Sequence, residues 1–265
     1  MSSPSPLSLD STILLMRNIF SSCQHLRLPI TTAITAMSLM HRFLQHTSID
    51  LTRKTIEVTN IAAVILLSSK VDENIRTLRE VIAVTRRFLK YAVHDAVEED
   101  KIVGEFKANV VAQEQVILRG VSFQTYVDVP HKYLLNIARS LGLSCGPVYT
   151  SYGLMNDCFL YPQCISLRPA TLSTACLYTA IECDIRQYSI PTSREFYIEA
   201  TFPTIHKLGK KWWLMFVEDE DAFLKAVEFI VVDVQSSNTK RHAPDSSSGN
   251  RQSTSSACNN VINNT

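Results

Sequence analysis

Glycine is scarce in this chain, at 7 of 265 residues, about a third of its average frequency. Folds that depend on many tight turns or on glycine-rich phosphate loops are therefore disfavoured. The phosphate-loop, dinucleotide-binding and zinc-protease patterns G-x-x-x-x-G-K-[ST], G-x-G-x-x-G and H-E-x-x-H do not occur. We therefore expect a protein that is not an enzyme and has no small-molecule substrate.

The cysteines form no C-x-x-C pair, and their number is odd. Most have apolar neighbours, where a free thiol behaves as a small hydrophobic side chain. The histidines are scattered and do not pair with one another at a spacing that suits a metal on one helix face. We therefore expect reduced cysteines in the core, with no metal site and no cofactor. The seven cysteines are Cys23, Cys145, Cys158, Cys164, Cys176, Cys183 and Cys258.

An excess of charge of either sign is also absent, because 26 Lys and Arg balance 25 Asp and Glu to give a net charge of +1. This balance disfavours direct binding to nucleic acid or to an anionic membrane. The longest apolar run, residues 61–67, is far shorter than the roughly 20 residues that span a bilayer. The polar N-terminus lacks a signal-peptide pattern. We therefore expect an intracellular protein with no membrane partner.

Helical spacing of apolar residues is the main pattern that is present, and alternation typical of strands is rare. The pattern predicts an all-α fold in which ten helices fall into two sets of five. The first set covers residues 11–26, 31–46, 56–72, 78–91 and 107–121. The second set covers residues 129–141, 147–160, 168–184, 193–202 and 219–234.

Two bundles of about a hundred residues each follow from this count, one over residues 11–126 and one over residues 127–234. Residues 1–10 are expected to be flexible. Residues 235–265 are rich in Ser, Asn and Thr and poor in apolar residues, which predicts a disordered tail. The pattern does not decide whether residues 92–107 form a loop or an extension of the fifth helix.

The third predicted helix is apolar on nearly every face, since residues 61–67 are all Ile, Ala, Val or Leu. A helix of this kind belongs in the centre of a bundle. Residues 171–181 are similarly low in charge and occupy the matching place in the second set. Each bundle is therefore predicted to surround one central helix.

Two motifs flank the predicted fourth helix. Residues 66–73 read Leu-Leu-Ser-Ser-Lys-Val-Asp-Glu, and residues 113–123 read Gln-Glu-Gln-Val-Ile-Leu-Arg-Gly-Val-Ser-Phe. Together they resemble the cyclin box, in which a Lys followed by two acidic residues ends the third helix and a Glu begins the fifth. The resemblance implies two tandem five-helix cyclin-box bundles with a disordered C-terminal tail.

Further residues place the resemblance among transcription-type cyclins. Met40-His41-Arg42-Phe43 is similar to the end of their second helix, and residues 130–135 are similar to their entry into the second bundle. Trp212-Trp213-x-x-Phe216 resembles the ending of cyclins K and Q. Residues 76–79 and the short length make the cyclin Q group the most similar, with cyclins K, L and T also alike. The resemblance covers about residues 11–234.

The sequence departs from the cyclin pattern at three places. Asp72 replaces the more usual Glu, Ser68-Ser69 stands where many members have Ala-Gly, and Gly120 lies inside the predicted fifth helix. A glycine costs about 1 kcal/mol in helix propensity relative to alanine. The last turn of the fifth helix is the part that this residue affects.

The resemblance implies a kinase-binding site around Lys70 and Glu114. In cyclins the equivalent pair converges on one surface and hydrogen-bonds the kinase backbone ahead of its C-helix. The same resemblance implies that neighbouring residues complete the site, namely Leu67, Val71, Asp72, Glu73, Leu118 and Phe123. By itself, Lys70 is equally a helix-end charge near unpaired carbonyl groups, and Glu114 is equally an exposed helix residue. His41 and Arg42 are expected to form hydrogen bonds within the first bundle, and Trp212 and Trp213 to be core or groove aromatics.

The function implied is that of a regulatory subunit. It would form a heterodimer with a cyclin-dependent serine/threonine kinase and activate the kinase by positioning its C-helix. The transcription-type resemblance also implies residence in the nucleus.

Two alternatives stay open. One is an adaptor similar to transcription factor IIB, which uses tandem cyclin folds to bind DNA and polymerase. Its basic residues would be Arg86-Arg87 and those of residues 207–211. The other is a cyclin-fold scaffold that binds a kinase without activating it.

Overall fold

The computed structural model describes residues 8–47, 54–89, 96–188 and 193–235. Within these ranges the secondary structure is entirely helical, which confirms the all-α prediction. The chain divides into two compact units. The first comprises residues up to Val129 together with Phe159–Ile165, and the second comprises Pro130–Cys158 and the chain from Ser166 onward.

In its described part, the first unit contains five α-helices. Their bounds are α1 Leu9–His25, α2 Ile30–His46, α3 Lys54–Val71, α4 Leu78–Phe88 and α5 Ala96–Gly120. Ser8 caps α1 by accepting a hydrogen bond from the backbone N–H of Ser11, and Thr77 with Glu80 forms a reciprocal capping box on α4. Each of these two caps satisfies backbone donors that the first helical turn would otherwise leave unpaired.

Helix α3 is the centre of the first unit. All ten residues from Asn60 to Ser69 are buried, and α3 packs against α1, α2, α4 and α5. The hydroxyl groups of Ser68 and Ser69 are fully buried but donate to the carbonyl groups of Ile65 and Leu66 on the same helix. A polar Ser-Ser pair is therefore tolerated where many cyclins have Ala-Gly.

Gly120 is the last residue of α5 and lies against the ring of Phe43 on α2. A β-carbon at Gly120 would be 2.5 Å from Cδ2 and 2.7 Å from Cε2 of this buried ring. The helix thus continues to Gly120, and the missing side chain permits close contact between α5 and α2. Close packing against Phe43 therefore explains why glycine occupies position 120, where the sequence departs from the cyclin pattern.

Four helices end in the same two-bond motif although glycine is scarce. This holds for α1, α3, α5 and helix His131–Ser140 of the second unit, named α6. The residue after the C-cap has a positive φ, and its N–H donates to the carbonyl group three residues back. The N–H of the next residue donates to the carbonyl group five residues back. The left-handed residues are Arg27, Glu73, Ser122 and Gly142. Only the last is a glycine, so three of these four turns carry the strain of a β-carbon in the left-handed region.

His41 and Arg42, on α2, bind backbone carbonyl groups of the first unit. The His41 ring is 2% exposed, and its Nε2 lies 2.9 Å from the carbonyl oxygen of Phe159. Burial lowers the pKa of His41 to about 4, against the smaller opposing effect of this hydrogen bond. The ring is therefore neutral at pH 7, with Nε2–H as the donor. Arg42 donates to the carbonyl oxygens of Gln124 and Tyr126, which follow α5.

The second unit contains six α-helices in its described part. They are α6 His131–Ser140, α7 Cys145–Cys158, α8 Pro169–Tyr188, α9 Arg194–Thr201, α10 Pro203–Leu208 and α11 Glu220–Phe229, which continues as a π-helical segment Ile230–Gln235. The sequence pattern did not predict α10. Pro203 begins this short helix, because its fixed φ suits a first helical position.

Helix α8 is the central helix of the second unit, as predicted from residues 171–181. Every residue from Thr171 to Glu182 is buried. Ser173 donates to the carbonyl oxygens of Pro130 and Pro169, which ties the start of α6 to α8. Arg194 of α9 binds both carboxylate oxygens of Glu182 at 2.8 Å.

Aromatic side chains complete the second core. Trp213 stacks on Phe223 with ring centroids 5.2 Å apart and meets the edge of Tyr178 at 4.9 Å. Trp212 is also buried. Both tryptophans are therefore core residues, which is one of the two roles expected for them.

The helix bounds differ from the predicted ones mostly by one to three residues. The main difference is α5, which begins at Ala96, so the part of residues 92–107 that the structure describes extends the fifth helix. Residues 1–10 were predicted to be flexible, but Leu9 and Asp10 belong to α1 and Ser8 caps it, so the prediction was wrong for residues 8–10. Residues 1–7 lie outside the described residues. The same holds for residues 236–265 of the predicted tail 235–265, whereas Gln235 ends the π-helical segment. In the described part, no helix has the length and apolar character needed to cross a membrane.

We expect Gly120→Ala to lower the free energy of unfolding by about 1–2 kcal/mol. Overpacking a filled core costs about 1–3 kcal/mol, of which the better helix propensity of alanine recovers up to about 1. Urea unfolding of the purified chain measures the change. Combining Gly120→Ala with Phe43→Leu should cost less than the sum of the single changes. A more stable Gly120→Ala variant would contradict the packing role.

Ser122→Gly should raise the free energy of unfolding by about 0.5–1 kcal/mol. The substitution removes the β-carbon from a left-handed position at an exposed turn, and the greater freedom of glycine when unfolded offsets part of the gain. Ser122→Ala, which keeps the β-carbon, is the matched control and should leave stability nearly unchanged. Equal thermal midpoints for the Gly and Ala variants would count against strain at this turn.

The stability of the chain should fall as the pH is lowered from about 6.5 to about 4. In this window the unfolded state protonates His41 while the folded state keeps it neutral, so protons favour unfolding. The effect is on the order of 3 kcal/mol over the whole window. His41→Gln keeps a donor for the Phe159 carbonyl group but does not titrate. Its unfolding free energy should depend less on pH than that of the parent, and identical profiles would refute the assignment.

Candidate functional site

Lys70 and Glu114 come together on the first unit. The Nζ atom of Lys70 lies 2.6 Å from Oε1 and 2.9 Å from Oε2 of Glu114. The lysine side chain is 50% exposed and the glutamate side chain 12% exposed. The pair therefore presents its ammonium group to solvent above a largely covered carboxylate.

The packing of α5 on α3 produces this meeting. Lys70 lies in the last turn of α3, and Glu114 lies on α5. Below the pair, Gln113 donates to the side-chain oxygen of Asn60 at 2.8 Å, and Asn60 in turn donates to the carbonyl oxygen of Ile56. This second polar contact between α3 and α5 sets the register of the two helices.

Apolar residues lie near Lys70 and Glu114 along the same helices. Val71 and Leu118 are half-buried, whereas Leu67 is almost fully buried. Leu118 is four residues after Glu114 and thus shares its face of α5. We call Lys70, Glu114, Leu67, Val71 and Leu118 the anchor patch. Its accessible surface comes mainly from Lys70, Val71 and Leu118.

The three remaining residues of the predicted site, Asp72, Glu73 and Phe123, lie outside the anchor patch. Asp72 faces α2, where one of its carboxylate oxygens accepts a hydrogen bond from the hydroxyl group of Thr35 at 3.4 Å. This contact joins the end of α3 to α2 within the first unit. Glu73 is exposed in the left-handed turn that ends α3. Phe123 is 67% exposed and also has a positive φ. An exposed ring of this size is available to a partner.

Sequence reasoning missed four exposed apolar residues next to these elements, and one of them is Val116 on α5, which is 42% exposed. Val111 is 42% exposed and lies three residues before Glu114 on α5, so helical spacing could have identified it. Ile75 is 71% exposed in the loop after α3, and Tyr126 is 74% exposed after α5. Loop residues have no periodic pattern, and the signal for these two was therefore weaker.

The chemistry open to the anchor patch is recognition of polar groups. An ammonium group has three donors and a carboxylate has about four acceptor positions. The contact between Lys70 and Glu114 leaves donors and acceptors of both groups unused. The pair can thus donate to a carbonyl group and accept from an N–H group, as an unpaired stretch of backbone requires.

The described residues contain no group of three or more His, Cys, Asp or Glu side chains that could hold a metal ion. The described cysteines are free thiols, and four of the six are buried. Burial raises the pKa of Cys23 to about 12, so this thiol is not a nucleophile at neutral pH. The four buried cysteines pack as small core residues.

One catalytic pattern does occur in the chain, because residues 142–146 read Gly-Leu-Ser-Cys-Gly and match G-x-S-x-G. In hydrolases this pattern lies on a sharp turn between a strand and a helix. Here it links α6 to α7, and both neighbouring elements are helices. The structural setting of a nucleophilic serine is therefore missing at Ser144.

The basic residues considered for a DNA-binding adaptor do not all face solvent. Arg86 is 3% exposed, with its guanidinium group 5.6 Å from the ring centroid of Phe106. Lys211 is paired with Glu220 at 2.6 Å. The first of the two basic clusters thus offers only Arg87 to a ligand.

Comparison with known proteins finds a family model that matches most of the first unit. Residues 6–126 match the model of the cyclin N-terminal domain. Human cyclin-L1 is 27% identical over 178 residues, which cover 65% of this chain and 33% of that protein. Cyclin-T of Drosophila melanogaster is 26% identical over 174 residues, which cover 63% of this chain and 15% of that protein. The chain spans a third or less of these two relatives.

Two solved structures share the fold. A chain of the yeast RNA Pol II CTD kinase CTDK-1 complex superposes with a TM-score of 0.69 and 18% identity, covering 91% of this chain and 72% of that chain. A viral cyclin from herpesvirus saimiri gives a TM-score of 0.50 and 16% identity, with 85% and 88% covered. The predicted cyclin fold and the resemblance to transcription-type cyclins are confirmed. The finer similarity to the cyclin Q group stays a prediction.

Proposed function

We propose that this chain, with a cyclin N-terminal domain over residues 6–126, is a non-catalytic regulatory subunit that binds and activates a cyclin-dependent protein kinase. The observation that carries the proposal is the ion pair between Lys70 and Glu114 on that domain. The yeast RNA Pol II CTD kinase CTDK-1 complex, one chain of which shares the fold, supports the same interpretation.

In the proposed complex the anchor patch binds the kinase next to its C-helix. Lys70 donates to a backbone carbonyl group of the kinase, and Glu114 accepts from a backbone N–H group. Val71, Leu118 and Phe123 cover apolar side chains of the C-helix. Charged anchors inside an apolar area are typical of the residues that dominate interface energies.

Activation follows from the conformation that the anchor patch favours. Phosphoryl transfer requires an ion pair between a strand lysine and the C-helix glutamate of the kinase. A rigid helical surface that binds the inward C-helix better than the outward one shifts the kinase toward its active state. The size of the shift equals the difference in affinity for the two states. We also propose nuclear residence, in line with the similarity to cyclin-L1 and cyclin-T.

Replacing Lys70 or Glu114 by alanine should weaken the kinase complex by about 2–5 kcal/mol, because each change leaves a partly desolvated partner without its hydrogen bond. Affinity capture from the source cells first identifies the kinase by mass spectrometry. Titration of that kinase with each variant then measures the loss. The free chain should stay folded, because Lys70 is 50% exposed and an ion pair that water reaches contributes only about 0–1 kcal/mol to stability.

A charge swap separates binding from folding. Lys70→Glu with Glu114→Lys keeps an ion pair between α3 and α5 but exchanges donor and acceptor toward the kinase, so the fold should persist and binding should not recover. The matched control is Lys211→Ala with Glu220→Ala, which removes an equally short exposed pair from the second unit. Full kinase binding by the swapped chain would refute the proposed anchor.

The scaffold alternative is decided by kinase activity. If this chain activates its partner, phosphate transfer by the identified kinase should rise on addition of the parent chain and not on addition of the swapped variant. Binding without a change in phosphate transfer would instead indicate a scaffold.

A further inference from the structure

An apolar groove lies between α6 and α7 of the second unit. Its volume is about 450 Å³, within the range of about 300–1,000 Å³ that is usual for binding clefts. Leu135 is 46% exposed and Tyr149 78% exposed at this groove. Its apolar wall consists of Leu135, Ala138, Leu143, Val148, Tyr149 and Tyr152.

The walls of the groove are held in place by local contacts. The ring of Tyr152 meets the edge of the His131 ring at 4.7 Å, and His131 is hydrogen-bonded to Asn156 at 2.8 Å. Gly142, at φ +65°, turns the chain at the end of α6, and the N–H of Leu143 binds the carbonyl oxygen of Ala138. A cleft formed in advance loses less entropy when it is occupied.

Arg139 is the one charged residue among those that line the groove. Residues 129–156 contain Lys132 and Arg139 but no Asp or Glu, in a chain with 25 acidic residues. Arg139 is exposed, lines the groove and has no ion pair within the described residues. A carboxylate at the groove would therefore find a guanidinium group without a competing acid nearby in the sequence.

We propose that this groove binds a short amphipathic segment of a partner protein, which places apolar side chains in the cleft and an acidic side chain on Arg139. The groove gives the apolar contacts and Arg139 gives the orientation, in the manner of a helix laid into a groove. This contact goes beyond kinase binding, because it uses residues of the second unit and none of the anchor patch.

The chain's own tail does not fit this description. Residues 236–265 have very few large apolar side chains, and their charged residues are Lys240, Arg241, Arg251 and a single acid, Asp245. A positively charged, polar segment has neither the apolar side chains for the cleft nor the charge for Arg139. A separate protein is the occupant that the chemistry favours.

A display library of random 16-residue peptides, selected on the full chain, tests the proposal. Enriched peptides should combine Leu, Ile or Phe with at least one Asp or Glu. Measured by fluorescence anisotropy, their binding should weaken at least tenfold in Leu135→Glu and in Arg139→Glu. Changing the peptide acid to lysine should restore binding to Arg139→Glu. Bound peptide should also slow alkylation of Cys145, an exposed thiol at the groove, in peptide mapping by mass spectrometry.

Matched control variants test whether loss of peptide binding is specific to the groove. Leu214→Glu alters a leucine of similar exposure, 44%, in the same unit, and Lys225→Glu reverses another exposed charge; both should bind peptide like the parent. The Lys70/Glu114 swap should also bind normally, so failure of the kinase proposal would not affect this one. No enrichment, peptides without acids, or binding that survives Leu135→Glu would overturn the proposal. So would a dimer in sedimentation that Leu135→Glu dissociates, because the groove would then bind a second copy.

Discussion

The packing of α5 against the buried helix α3 is the constraint on which the first unit depends. Asn60 and Gln113 join the two helices by a polar contact, and Gly120 lets the end of α5 approach Phe43. Because α5 is held by both contacts, Glu114 reaches Lys70 across forty-four residues of sequence. A rotation of either helix would separate the pair and change the face that the unit presents.

Scarcity of glycine has a structural consequence. Helices that end in a left-handed turn usually place glycine there, but Arg27, Glu73 and Ser122 occupy three such positions. Two of these turns directly follow the helices that carry Lys70 and Glu114. The strain is local, and the buried helices next to it supply the packing that maintains these conformations.

The two units repeat one plan with different surfaces. Each surrounds a central helix that is buried on almost every face, α3 in the first and α8 in the second. The first unit exposes an ion pair with apolar neighbours, which suits recognition of backbone and apolar groups together. The second exposes an apolar groove with a single unpaired guanidinium group among the described residues that line it. We propose that both surfaces bind other proteins.

The periodicity of apolar residues was sufficient to predict most of the helices. It also predicted the two central helices, α3 and α8, because an all-apolar helix is stable in water only when other helices cover it. The Lys70 and Glu114 motifs pointed to one site through their resemblance to cyclins. Composition did not predict α10, because a helix of one to two turns has too few residues to show a period. The periodicity of apolar residues also did not predict which side of α3 or α5 stays exposed.

The sequence by itself thus determined the all-α class, the order of the main helices and the residues able to pair by charge. Tertiary structure alone decided that Asp72 faces α2, that Arg86 is buried beside Phe106 and that α6 and α7 leave a groove open. The physical reason is that local pattern depends on neighbours three or four residues away. Burial, in contrast, depends on contacts between residues that the chain brings together from distant positions.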